Sequence, residues 1–356
     1  MQYRYEAGPG QLDRARSGEA HARGHRPSIA RHRGLFIAAV VLVAMSARAE
    51  LARYWSGNQG DMRLRMHGPV LILDGGGGSD EAAPMQMAID RVRGCTSCDR
   101  KLDVVVLRAS GSDGYNQYFM GLKGVDSVLS MVITDRKSSS LPDVVQAVRN
   151  AELVFFAGGD QCNYIRWIKG TPVDDAVKSV YRRGGAVGGS SAGLAIQGEI
   201  AYDACPDQSA KSADVLKDPY SVDVSLSRGF FDWPPLRHVI TDTHFKKRDR
   251  MGRLLVFLAR ALKDGQDTRL VGFGVNEGAT AVMDAAGKAI VFGTGPVNVI
   301  VADHPAEVVE RGKPLTYRGF KIWHFDSGQT IDLTNLPATG YKTIDVIEGT
   351  LSGDPY

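Results

Sequence analysis

The sequence predicts an α/β fold: a doubly wound, mostly parallel sheet with helices on both faces, and antiparallel strands towards the C-terminal end. Two observations carry this. From residue 69 onward, short runs of Val, Ile, Leu and Phe alternate with stretches of helical spacing. Strands apolar on both faces are those of parallel sheets covered by helix layers. Several runs also end in glycine-rich turns, such as Asp74-Gly75-Gly76-Gly77-Gly78 and Ala157-Gly158-Gly159, as strand-to-helix connections do.

Taken in order, residues 70–73 form the first strand, whose glycine loop leads into a helix starting near Ser79-Asp80. Residues 103–107 and 128–134 are the second and third strands. Pro142 opens a helix running to about Asn150, the position where proline fits a helix best. Residues 153–156 are the fourth strand. A helix over 174–183 stops at Gly184-Gly185, and residues 186–188 make a short strand after it. Residues 203–235 lack a period and carry Pro219, Pro234 and Pro235, so they read as an irregular excursion. Residues 237–241 return to strand character, and 249–262 make a strongly amphipathic helix. Three or four strands fill 270–301, and the last 50 residues read as β-structure and loops.

The chain has 356 residues, with 43 Lys and Arg against 40 Asp and Glu. Its 43% hydrophobic and 23% charged content excludes disorder, collagen and coiled coil. Residues 1–49 hold 8 of the basic and 3 of the acidic residues, leaving 35 against 37 in the body. The body is therefore near neutral, and no nucleic-acid partner is expected. Arg31-His32-Arg33, an apolar run over 35–45 and Ser46-Ala47-Arg48-Ala49 have the order of a signal peptide. The run is shorter than the roughly 20 residues of a membrane span. We expect cleavage after Ala49 and an exported protein; an uncleaved anchor or a buried helix is the alternative. The expected organisation is an address segment (1–49), a linker (50–68), a domain over 69–301 and a β-rich extension (302–356) packed on it. In an oxidising compartment Cys95-Thr-Ser-Cys98 reads as a local disulfide rather than half a zinc site. For Cys162 and Cys205 the sequence leaves pairing open.

Gly189-Ser190-Ser191-Ala192-Gly193 lies between a strand and a helix. That context suits a strained turn that exposes Ser191 Oγ as a nucleophile, with the Ala192 amide free to face an oxyanion. The Gly159 amide, at the fourth strand's end, is the second oxyanion donor. His244 sits at another strand end, where catalytic groups of open α/β sheets gather, and is the expected base. His238, Asp242 and His244 share a face of an extended strand, so a metal site is the rival reading, with His238 more a core or sheet residue. Arg250 and Arg253 share a helix face beside Arg248, and could clamp a carboxylate or form a solvated charged face. Asp160 and Gln161 face the same edge.

Together, Phe156-Ala-Gly-Gly-Asp-Gln161, Gly189-Ser-Ser-Ala-Gly193, Asp242-Thr-His-Phe-x-x-Arg248-x-Arg250-x-Gly-Arg253-Leu254 and Gly274-Val-Asn-Glu277-Gly-Ala-Thr-Ala281 resemble the cyanophycinase family of serine peptidases, which also holds the Asp-specific dipeptidase E. The resemblance covers roughly residues 69–301. It implies a fold like class I glutamine amidotransferases, with serine in place of their cysteine. It implies an exopeptidase that cuts cyanophycin, a poly-aspartate bearing arginine on each side chain, into β-Asp-Arg dipeptides. Carried over by motif, Ser191 is the nucleophile and His244 the base. Asp160, Gln161, Asp242, Arg248, Arg250 and Arg253 line the substrate pocket. Thr243 stands where the family has Gln. The family's third triad member is Glu; the match taken here is Asp214, with Asp203 and Asp207 as candidates. No metal or organic cofactor is expected. The expected partner is a peptide or polymer substrate, with a homodimer as one possible assembly. An exported dipeptidase for Asp-containing or isoaspartyl peptides is the alternative, as is a non-catalytic peptide- or amino-acid-binding module.

Overall fold

The computed structural model describes residues 51–78, 82–206 and 208–356. The expected address segment, the helix start at Ser79-Asp80 and the candidate acid Asp207 lie outside the described residues.

Strand β1 (Arg53–Gly57) falls within the expected linker and pairs antiparallel with a sheet edge. Beyond it, strands and helices alternate: β2 (Val70–Asp74), α1 (Ala82–Arg93), β3 (Leu102–Arg108), α2 (Asn116–Met120), β4 (Val125–Val132), α3 (Pro142–Asn150), β5 (Leu153–Phe156), α4 (Gln161–Ile168), α5 (Pro172–Arg182) and β6 (Ala186–Ser190). Strands β2 to β6 are mutually parallel, in the order β4-β3-β5-β6-β2. Side chains alternate between two faces that both meet helices, which is why these strands are mostly apolar. Val70, Ile72, Val104 and Val106 pack with Ile89 and Val92 of α1. Leu71, Leu73, Val105 and Leu107 face the other way, onto Val144 and Val148 of α3 and Val177 of α5.

A short helix α6 (Ala192–Ala195) follows β6. Then come β7 (Ile200–Tyr202), α7 (Ser212–Val215), β8 (Leu226–Arg228), β9 (Val239–Asp242) and the long helix α8 (Met251–Gly265). The remaining strands are β10 (Leu270–Val275), β11 (Ala279–Asp284), β12 (Lys288–Gly293), β13 (Val297–Ala302), β14 (Tyr317–Phe325), β15 (Thr330–Asp332), β16 (Lys342–Ile347) and β17 (Thr350–Leu351). They pair antiparallel, as expected, apart from β10 against β9, and they divide between two sheets. β11, β12 and β15 extend the parallel sheet beyond β2, making nine strands in the order β1-β4-β3-β5-β6-β2-β11-β12-β15. The others build a second sheet of eight, β17-β16-β14-β13-β10-β9-β7-β8. One face of this sheet, with Ile240, Ile300 and Ile322, packs on Leu254 and Leu258 of α8. Its other face, with Phe273, Val275 and Val299, shares a core with Ala281, Met283 and Val291 of the first sheet. Within the second sheet β9 runs parallel to both β7 and β10. Two groups of parallel strand ends therefore meet: β5, β6 and β2 from one sheet, β9 and β10 from the other.

Candidate active site

β6 ends at Ser190 and α6 starts at Ala192, so Ser191 alone makes the turn between strand and helix. Its backbone is strained for a side-chain-bearing residue, with φ 54° and ψ −112°. The turn is locked from two sides. The Ser191 amide donates to the Asp74 carbonyl at the end of β2 (3.0 Å). The helix also lies so close to β5 that a Cβ on Gly193 would come within 2.0 Å of the Phe156 carbonyl oxygen.

His244 follows β9 after one residue, and its amide donates to the Gly75 carbonyl in the loop beyond β2 (3.0 Å). That loop forms the floor of the site. A Cβ on Gly76 would lie 2.7 Å from His244 Cε1 and 3.1 Å from Ser191 Cβ, which leaves room for glycine only. Across this floor Ser191 Oγ stands 2.6 Å from His244 Nε2. On the far side of the ring, Nδ1 is 2.7 Å from Oε1 of Glu277, two residues beyond β10. An ionised carboxylate only accepts, so Nδ1 carries the proton and Nε2 offers its lone pair to the Ser191 hydroxyl. Burial lowers the His244 pKa below its ordinary value, against the upward pull of the Glu277 bond; the Arg248 and Arg250 charges lower it further. The ring is therefore neutral near pH 7, as a base must be.

Glu277 takes the position that Asp214 was expected to hold. Asp214 lies on α7, where Ser212 and Val215 are the buried residues, and its own side chain is exposed without a bond to the imidazole. Asp203 is buried but committed elsewhere, accepting from the Cys205 amide (3.0 Å) and the Ser227 hydroxyl (2.8 Å). A signal for Glu277 was present in the sequence: the strand-end rule that singled out His244 applies equally to the neighbouring run 270–275.

The expected substrate residues divide. Asp242 and Arg253, each 2% exposed, form a bidentate pair with each other (2.8 and 2.5 Å). They are an internal strut rather than pocket walls. Arg250 Nη1 donates to the carbonyl and the hydroxyl of Thr243 (2.9 and 3.0 Å) and lies 3.5 Å from Asp242. Thr243 is itself buried. Arg248 differs: its side chain is 54% exposed, with Nε 4.0 Å from Glu277 Oε1. Asp160 is exposed too and caps α4, accepting from the Cys162 amide (2.9 Å), while Gln161 is half-buried. Gly158 borders Ser191, since a Cβ there would lie 3.6 Å from Ser191 Cβ. Gly159 follows with φ 146° in an exposed turn, and Ala192 directly succeeds the serine. His238 is no core or sheet residue: it stands just ahead of β9, exposed, with Nδ1 3.2 Å from Asp267. All four cysteines are paired, Cys95 with Cys98 and Cys162 with Cys205.

No family model matches the chain. The cyanophycinase of Nostoc sp. is 28% identical over 228 residues, which covers 60% of this chain and 69% of that protein. The cyanophycinase of Synechococcus elongatus is 24% identical over 275 residues, covering 74% and 79%. A crystal structure of a peptidase from an acI-B1 actinobacterium superposes with a TM-score of 0.51 at 16% identity, covering 76% of this chain and 98% of that one. By sequence this chain is a relative of the cyanophycinases, and by fold it resembles a peptidase.

Proposed function

We propose that the chain is an exported serine exopeptidase that hydrolyses cyanophycin to β-Asp-Arg dipeptides. The observation that carries this reading is the continuous hydroxyl–imidazole–carboxylate line from Ser191 through His244 to Glu277. Its parts have distinct tasks. Glu277 holds the ring in the tautomer whose Nε2 can accept a proton and stabilises the imidazolium that follows. Ser191 Oγ attacks the scissile carbonyl as its proton passes to Nε2, and the departing amine takes that proton away. Water, deprotonated by the same nitrogen, then releases the acyl group from Ser191. The amides of Gly159 and Ala192 receive the oxyanion in this reading. Export is supported by the order of charges and apolar residues over 31–49 and by the pairing of every cysteine.

One observation favours a smaller substrate. With Asp242, Arg250 and Arg253 tied to one another or to Thr243, the exposed charges of the original set are Asp160 and Arg248. One group of each sign suits one Asp-containing dipeptide unit. Incubating the protein from Glu50 onward with insoluble cyanophycin, and following soluble β-Asp-Arg by mass spectrometry, tests the reading. Release by the wild type and not by Ser191→Ala is the expected result. No release, with cleavage of short Asp peptides instead, would reject cyanophycin and leave a dipeptidase. Neither activity, and no labelling of Ser191 by a fluorophosphonate, would leave a binding module.

A further inference from the structure

We propose that the Cys162–Cys205 disulfide is a substrate-positioning clasp, holding together two walls of the cleft that come from different sheets. Cys162 lies in the first turn of α4, the helix that follows β5. Its amide is capped by Asp160, one residue beyond the Gly158-Gly159 turn that borders Ser191. Cys205 lies on the opposite wall, in the loop that leaves β7. Because β7 is parallel to β9, this loop emerges at the same edge as His244. The loop is fastened to the base side of the site. Tyr202 Oη accepts from the Ala210 amide (2.8 Å), and the Arg253 guanidinium donates to Ser209 Oγ and the Ala210 carbonyl (3.3 and 3.4 Å). The same guanidinium stacks over the Tyr202 ring at 4.8 Å and grips Asp242, two residues before His244. The bridge thus ties the exposed Asp160 to the Arg253–Asp242 strut across 43 residues of chain.

The Ser191–His244–Glu277 line makes no contact with either sulfur. Cutting the bridge should therefore alter how substrate is held and leave the proton relay intact. Dithiothreitol cuts it by two successive thiolate attacks, leaving two protein thiols and its own cyclic disulfide, a two-electron, two-proton exchange. The inference rests on the peptidase reading for its kinetic part only. In the Cys162→Ser/Cys205→Ser protein, and in reduced wild type, KM should rise by about fivefold or more while kcat stays within about twofold. The Cys95→Ser/Cys98→Ser protein is the control. Its bridge follows α1, which runs back from the catalytic edge, so its loss should leave KM unchanged.

A second measurement needs no substrate. Hydrogen exchange should quicken in 158–164 and 203–211 together on reduction, with β6 and β9 still protected. An unchanged KM in folded protein lacking the bridge would overturn the proposal, as would an equal rise in the control. If the oxidised protein cleaves no Asp peptide, the peptidase reading fails. The exchange experiment then decides alone, and two segments that exchange no faster would dispose of the clasp.

Discussion

Burial and the Glu277 carboxylate act on the His244 proton in opposite senses. Burial favours the neutral ring and is the largest influence, while the hydrogen bond to Glu277 favours the charged one. The folded pKa lies below the ordinary value of about 6.5, so the acid limb of kcat/KM should lie below pH 6.5. Glu277→Gln removes the upward pull and should move that limb lower still. It should also cut kcat by about 10²- to 10⁴-fold, because an amide can hold the wrong tautomer. Asp214→Ala should leave both unchanged, since its carboxylate is exposed and unconnected to the ring. A pH–rate profile of the two variants checks all three expectations. A large loss in Asp214→Ala with little in Glu277→Gln would reverse the assignment. The serine turn was legible because its chemistry is local: glycine is required where helix and strand approach most closely. Glu277 was harder to read: the strand-end rule points to its neighbourhood, but no local pattern separates it from an ordinary turn after a strand.

At the scale of elements, the buried strands and long helices were readable because burial on both faces leaves few polar positions. The four runs read in 70–73, 103–107, 128–134 and 153–156 lie within or overlap β2, β3, β4 and β5. The Pro142 helix has the bounds that its proline start suggested, and four strands fill 270–302. Short pieces held by tertiary contact were less legible, β1 and α4 among them. The arginine pattern shows where spacing runs out. Arg250 stands just before α8 and only Arg253 lies on the helix, yet both guanidinium groups turn to one side, and i, i+3 spacing cannot tell whether that side meets substrate or protein. Here it meets Asp242. Arg253→Met takes the bidentate partner from buried Asp242 and leaves it only the longer 3.5 Å contact with Arg250, so it should cost about 3 kcal/mol of stability, measured by urea unfolding. Arg248→Met, at an exposed site beside Glu277, should cost less than about 0.5 kcal/mol and act on KM instead. Comparable stability losses in the two variants would refute the distinction between strut and recognition group.

Across the whole molecule, the division into two sheets was the least legible feature, because a strand's sequence states its burial but not its partner. β10 and β11 are separated by three residues in the chain and belong to different sheets. Their division brings β9 and β10 to the ends of β6 and β2, and so completes the site. The opposite edge of the first sheet carries a different consequence. Glu152, just before β5, is buried and accepts from the Asp103 amide at 2.8 Å. Burial, with the carboxylates of Asp103 and Asp61 adding, pushes its pKa up to about 8 from 4.5. The folded chain then holds a proton that the unfolded chain releases above about pH 4.5. Stability from this group is complete below that pH and is lost as pH rises through 8. Glu152→Gln keeps an oxygen for the Asp103 amide and carries no charge to bury. It should match the wild type near pH 5 and exceed it by on the order of 2–4 kcal/mol at pH 9, at roughly 1.4 kcal/mol per unit of pKa shift. Peptidase activity should not follow, because Ser191 lies at the other end of the strands. Urea unfolding at the two pH values decides the matter, and an advantage equal at both would show that charge burial at Glu152 is not its source.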